Sequence, residues 1–300
     1  MQEGAQLRPL GVGDIVDRVF GIYRQRPLMF LTVAAIPELI LYLAVGVMVA
    51  TFAGGAMIEL IPLLTGDVTA PELGLDRLVR LLATILPFAG VVAIVAIAVS
   101  LMQSASLVAS MAARYMGRET TAGEALRIGL RRSGDLLVMG LIAFLAFIGM
   151  WVALIVVMAL TQQWWSVLSG TVFGCVASVY LAASWMVSPA VVVLERAGPV
   201  EALRRSWSLA RSNRWRIIGL VLLLLILEIV LSSLLSFVLL ASFVTDQIAH
   251  LVLQQAVNLL ASVAWAPVYW GTFAVLYYDL RVRREALDLQ LAAESLPRAT

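Results

Sequence analysis

Residues 136–194 read LLVMGLIAFLAFIGMWVALIVVMALTQQWWSVLSGTVFGCVASVYLAASWMVSPAVVVL, 59 residues without one charged side chain. A helix rises about 1.5 Å per residue and a bilayer core is about 30 Å thick, so one crossing takes roughly 20 apolar residues. The run is long enough for two crossings and a turn. Its polar residues gather at Thr161-Gln162-Gln163-Trp164-Trp165-Ser166. Paired tryptophans favour the membrane–water interface, so the turn falls there. The apolar residues are continuous rather than alternating, which argues for helices against the roughly ten-residue strands of a barrel.

Outward from this run the same pattern repeats. Residues 28–58 carry only Glu38, 81–113 carry no charge, 217–245 carry only Glu228, and 247–278 carry none. Six spans follow, at about 28–52, 81–111, 136–160, 166–190, 217–243 and 251–278. The fold class expected is all-α, a polytopic membrane protein. The first apolar stretch is too long for a cleavable leader and 27 residues precede it, so it reads as a retained helix. Composition agrees: 62% of the 300 residues are hydrophobic and 13% charged, with a mean hydropathy of +0.96. A chain this apolar has too few polar groups to cover a soluble surface. A net charge of +2 gives no pull toward nucleic acid. One cysteine, Cys175, and one histidine, His250, leave little for disulfides, metal centres or acid–base sets.

All 21 basic residues are arginine, which fits a GC-rich bacterial genome. Nineteen of them fall in the N-terminal segment, the 112–135 and 195–216 loops and the C-terminal tail; only Arg77 and Arg80 lie on the other side. Positive loops stay in the cytoplasm, so both termini are expected there, in the cell membrane, in agreement with an even number of spans.

The three arginine-rich segments before spans 1, 3 and 5 resemble one another. Asp14, Glu124 and Glu201 occupy equivalent starts, and Glu-Ala-Leu recurs 77 residues apart. Each segment reads as an interfacial amphipathic helix. In the third, Ala202, Leu203, Ser206, Leu209 and Ala210 share one face, opposite Glu201, Arg204, Arg205, Ser208 and Arg211. In the first, Ile15, Val16, Val19, Ile22 and Tyr23 oppose Asp14, Asp17, Arg18 and Arg24, while Ile128 and Arg132 weaken the pattern in the second. Thr121-x-x-Glu124 has the spacing of a capping box, and Pro199 suits a first helical turn. The expected organisation is one membrane domain over 1–300. It comprises three parallel helix-plus-hairpin units, about 11–111, 121–193 and 198–280, and a tail over 281–300.

The opening Leu7-Arg8-Pro9-Leu10-Gly11-Val12-Gly13-Asp14-Ile15-Val16-Asp17-Arg18 with Tyr23-Arg24 resembles the start of glycerophosphoryl diester phosphodiesterase membrane-domain proteins. The closing Tyr277-Tyr278-Asp279-Leu280-Arg281-Val282-Arg283-Arg284-Glu285-Ala286-Leu287-Asp288-Leu289 resembles their C-terminal signature, and Ala202–Trp207 followed by Trp215 is similar too. The resemblance implies the membrane part only and supplies no catalytic residues. A phosphodiesterase barrel needs about 250 residues and a metal site, for which neither residues 279–300 nor the outer loop 53–80 has room. The chain is therefore expected to be non-enzymatic, with no cofactor and no metal, and His250 is expected to be an interfacial polar residue.

Two sets of residues stand out. Glu38 and Glu228 are charges deep in spans, where a carboxylate costs about 2.5–3.5 kcal/mol or more, so each is expected to face the bundle interior, to be protonated or to pair; with Gln103 and Asn258 as weaker positions they form a set of buried polar candidates. Hydrogen-bonding glue between helices is the plain role for all four; a proton- or cation-linked path is the functional one for the two glutamates. The second set is Arg131, Arg132, Arg204, Arg205, Arg281, Arg283 and Arg284, dense enough beside spans to bind anionic lipids or a partner as well as to set topology. Gly170 and Gly174 are spaced for close helix packing, inside the chain or between copies. Two functions compete. One is a scaffold or accessory subunit whose partners are the bilayer, anionic lipids and a protein or second copy. The other is an ion-coupled transporter or permeation path for a lipid-derived or glycerophosphodiester solute using Glu38 and Glu228.

Overall fold

A computed structural model describes residues 9–48, 75–161, 163–240, 247–288 and 290. Most of the expected 53–80 loop, Leu7, Arg8, Leu289 and the last ten residues lie outside that set. The described residues are helical, with no strand among them. In chain order they form α1 (Val12–Gln25), α2 (Pro27–Met48), α3 (Leu75–Tyr115), α4 (Ala122–Thr161), α5 (Trp164–Trp185), α6 (Ser188–Leu194), α7 (Pro199–Ala210), α8 (Arg214–Leu240) and α9 (Gln247–Glu285). Six stretches are long and apolar enough to cross a membrane: Pro27–Val47, Leu86–Tyr115, Ala122–Thr161, Trp164–Leu194, Arg214–Phe237 and Val252–Glu285.

Helix breaks follow local chemistry. Pro27 starts α2 directly after Arg26, because proline cannot donate to the turn before it but fits the first turn of a new helix. Ser212 and Asn213 form the turn between α7 and α8. Between Arg132 and Leu136 no such breaker exists, since Ser133-Gly134 is tolerated within a helix. The second arginine-rich segment therefore runs straight into its span as one 40-residue helix, not as a separate element. Its start carries the capping box: Thr121 N–H donates to Glu124 (3.0 Å) and Glu124 N–H donates to Thr121 Oγ1 (3.3 Å). The long charge-free run breaks at Met186-Val187, where Pro189 opens α6. This short helix is buried along Ala190, Val191, Val192 and Val193. It was not separable from span 4 by composition, since both are uniformly apolar.

The chain divides into two compact units, one of residues 1–34 and 102–300 and one of residues 35–101. In the first, the core sits at the arginine-rich ends of the helices. It contains Ile15, Val19, Phe30, Leu107, Met111, Leu136, Leu209, Ile217, Leu220, Leu224, Phe273, Leu276 and Tyr277, each with almost no exposed surface. The α1 face turned into it carries Ile15, Val16, Val19 and Ile22; the α7 face carries Ala202, Leu203, Ser206, Leu209 and Ala210. α1 packs on α9, and α7 packs on α4, α5 and α6. Toward the other end α8 and α9 leave the core. Among the described side chains, burial stops after Leu224 in α8 and begins only at Ala266 in α9.

Small residues set the closest approaches. A Cβ on Gly129 of α4 would lie 2.0 Å from Ser106 Oγ and 2.4 Å from the Met102 carbonyl of α3. Gly174 and Gly170 of α5 face Trp151 and Met158 of α4, so this glycine pair serves packing inside the chain. Trp151 Nε1 donates to Ser178 Oγ at 3.1 Å across the same contact. The second unit holds the rest of α2 from Ala35 and α3 as far as Leu101. Within it Pro37 is buried and Glu38 half-buried.

Candidate functional site

The last two turns of α9 place Tyr277, Asp279, Arg281, Arg283 and Glu285 at the arginine-rich end. Residues four apart lie on one helical face, which pairs Asp279 with Arg283 and Arg281 with Glu285. The Asp279 side chain is 0% exposed. A buried carboxylate must be paired and hydrogen-bonded to persist. Asp279 accepts from Leu10 N–H (2.7 Å), from Arg283 Nε (3.1 Å) and from Arg216. The Leu10 carbonyl accepts from Arg283 Nη2 (2.8 Å) and from Arg216. Both polar groups of Leu10 are thus gripped by one acid and two bases from α8 and α9. The grip joins the chain's opening segment to its closing one.

A second network lies alongside. Glu195, at the end of α6, accepts from Arg205 Nε (3.1 Å) and from the Tyr277 hydroxyl (2.8 Å). Arg205 also pairs with Glu285, which Arg281 holds at 2.8 Å. Burial of Arg205 would lower its pKa, but Glu195 and Glu285 more than offset this, and its guanidinium is held above its ordinary value. The alternation of acid and base ties α6, α7 and α9 together. Arg205→Leu should cost about 1.5 kcal/mol, the low end for charge-assisted bonds because the pair is about a quarter exposed. Thermal unfolding in detergent reads this directly, and Glu195→Gln should lose less, since the amide still accepts from Tyr277.

A third cluster centres on Arg214. Its Nε donates to Ser184 Oγ (2.8 Å), and its guanidinium lies 4.1 Å from the Tyr180 ring centre and 4.8 Å from that of Trp207. Ser206 Oγ donates to the Ser184 carbonyl (2.8 Å), seating α7 on α5. On the far side Tyr115 stacks on Tyr278 with ring centres 5.4 Å apart.

The sequence-selected arginines divide by this geometry. Arg205, Arg281 and Arg283 are neutralised by carboxylates inside the chain, and Arg132 pairs with Asp135 at 2.9 Å. Arg284 donates to the Ser208 carbonyl (3.0 Å). Arg131 and Arg204 are exposed. Among the polar positions selected within spans, Gln103 is buried and donates to the Ala34 carbonyl at 3.0 Å, a tie between α3 and α2. The expectation that Glu228 and Asn258 are buried is corrected: both are exposed. Glu228 continues the Ile217–Leu220–Leu224 stripe of α8, but one turn beyond the point where the core ends. It lines an open groove of about 700 Å³ with Leu225, Ile229, Ser232, Ser233, Ser236 and Phe237. Asp279, Glu195, Arg216 and Tyr277 were not selected as site residues. Glu195 and Arg216 had only position as a signal, at charged ends of apolar runs, whereas Tyr277 and Asp279 also lie in the closing motif that carries the resemblance. Among the described residues no three His, Cys, Asp or Glu side chains gather as metal ligands would.

These features define a multi-pass, all-helical integral membrane protein, and the ion pairs among its described residues lie at one end of the helices. Residues 153–280 match the family model for the membrane domain of glycerophosphoryl diester phosphodiesterase, as the chain's opening and closing motifs led us to expect. The matched stretch runs from α4 into α9 and includes Glu195, Arg205, Arg214, Arg216 and Asp279. No curated protein and no solved structure matches the chain.

Proposed function

We propose that this chain is a non-enzymatic protein of the bacterial cytoplasmic membrane, with both termini in the cytosol. It acts as a scaffold or accessory subunit at the inner leaflet. One observation carries the reading: among the described residues the packed core and the ion-pair networks are gathered at the arginine-rich end, and they leave Arg127, Arg131, Arg204 and Arg211 exposed on it. Internal pairing fixes the shape of this end, while the exposed arginines face the anionic lipids of the cytosolic leaflet, each adding about 1 kcal/mol of attraction. The partners are the bilayer, its anionic lipids and a protein or second copy docked on that face.

The groove beside Glu228 supports a second reading, a permeation path for a lipid-derived or glycerophosphodiester solute driven by an ion. Proteoliposome assays separate the two. The scaffold reading expects no pH-driven glycerophosphodiester uptake and no hydrolysis, with Glu228→Gln and Glu38→Gln indistinguishable from the parent. Uptake lost in either variant would establish transport instead, and hydrolysis by the purified chain would make it an enzyme.

A further inference from the structure

Where α1 meets α2, the end of α3 and the start of α4 form a half-open pocket of about 290 Å³ lined by Arg26, Met29, Arg114, Glu119, Thr120, Thr121 and Glu124. Its charges are arranged unlike those around Asp279. There, each half-buried guanidinium has a carboxylate oxygen within about 3 Å. Here two guanidiniums share one oxygen, Glu119 Oε1, at 3.4 Å from Arg26 and 3.6 Å from Arg114. Glu119 is 80% exposed, so its hold is weak and easily given up to water. Glu124 is differently engaged: its Oε2 takes Thr121 N–H at 3.0 Å and Thr120 Oγ1 at 3.4 Å. Arg114 is only 17% exposed, whereas Arg26 at the rim is 62% exposed.

We propose that this pocket binds a phosphodiester headgroup, which displaces Glu119 and gives one non-bridging oxygen to each arginine. Charge-assisted bonds from arginine to phosphate are short and strong, and a phosphodiester presents two oxygens at the spacing two guanidiniums can share. The volume lies at the small end for ligand sites, which suits a headgroup and not a larger solute. Leu28, 77% exposed beside the pocket, gives an acyl chain an apolar surface to follow. The site lies at the ends of three spans, at headgroup depth if the arginine-rich end faces the inner leaflet; in that respect it rests on the function proposed above. The ligand is a membrane phospholipid or its deacylated, soluble counterpart.

The test uses the full purified chain in mild detergent, with native mass spectrometry reading bound phosphatidylglycerol in one arm and glycerophosphoglycerol in the other. Arg114→Gln and Arg26→Gln should each weaken binding about tenfold or more, equivalent to one lost charge-assisted contact. Glu119→Gln should strengthen it, a gain that misfolding does not produce. Binding confined to phosphatidylglycerol assigns the lipid; comparable binding of both assigns the soluble headgroup. Equal binding by parent and all three variants, or no binding of either probe, overturns the site. Were phosphatidylglycerol retention to depend on Arg131 and Arg204 but not on Arg26 and Arg114, the inner-leaflet reading would stand and this site would fall.

Discussion

Asp279→Ala is expected to cost about 3–5 kcal/mol, the penalty for stripping the partner from buried charges. The carboxylate is fully enclosed and meets Arg216, Arg283 and Leu10 N–H together. Without it two guanidiniums crowd the Leu10 carbonyl with no neutralising charge, and the Leu10 amide loses its acceptor. Asp279→Asn keeps one acceptor oxygen and should fall between the parent and alanine. Thermal unfolding in detergent gives the order. Limited proteolysis tests the mechanism, because α1 rests on α9 partly through this grip. Trypsin should cut the alanine variant after Arg18 or Arg24 under conditions that leave the parent whole. Asp17→Asn, at an exposed position of α1, should stay within about 0.5 kcal/mol of the parent. An Asp279→Ala protein as stable and as resistant as the parent would show that the network contributes nothing to folding.

Gly129→Ala is the second large effect expected. The added carbon falls 2.0 Å from Ser106 Oγ and 2.4 Å from the Met102 carbonyl. Ser106 can rotate, though its hydroxyl would forfeit the 2.6 Å bond to that same carbonyl. A backbone carbonyl in mid-helix cannot move, so α3 and α4 must separate. Overpacking of this kind costs about 1–3 kcal/mol, and a rigid obstacle puts it near 3. Gly129→Val should exceed that. Adding Ser106→Ala to Gly129→Ala should recover part of the loss but not all, a coupling that a double-mutant cycle measures. Gly271→Ala is the contrast. Its nearest obstacle is the Met111 Cε at 2.5 Å, the end of a flexible side chain, so the loss should be smaller.

What could be read from the chain before its structure depended on range. The six spans needed only local counting of apolar residues, and all six are present. The inward face of α7 followed from helical period alone, because Ala202, Leu203, Ser206, Leu209 and Ala210 recur at one angle. Where contacts are long-range, local pattern was silent. No periodicity tells that Leu10 meets Asp279, 269 residues away, or that Glu195 bridges Arg205 and Tyr277. Depth was the other gap. An apolar run has the same composition whether it faces protein or lipid, so Leu224 and Glu228 look equally interior although the core ends between them. The short α6 was hidden for the same reason, and only Pro189 marked it. Arginine clusters misdirected the reading in a different way. Density along the chain does not distinguish a guanidinium that is already paired, such as Arg283, from one such as Arg26, which shares a single loosely held carboxylate.

In the function proposed above, the arginine-rich end is the working end and the far half of α8 is not. The most direct measurement is the mass and anionic-lipid content of the protein extracted from its native membrane in polymer-bounded particles. It compares the parent, an Arg127→Gln/Arg131→Gln/Arg204→Gln/Arg211→Gln variant, and Glu228→Gln. The four arginines are exposed and lie outside the networks around Asp279 and Glu195, so their replacement should change thermal stability little. We expect the fourfold variant to lose bound partner mass and anionic lipid while Glu228→Gln keeps both. A fourfold variant identical to the parent, beside a Glu228→Gln protein that has lost its assembly or its lipid, would contradict the account and move the function to the groove on α8.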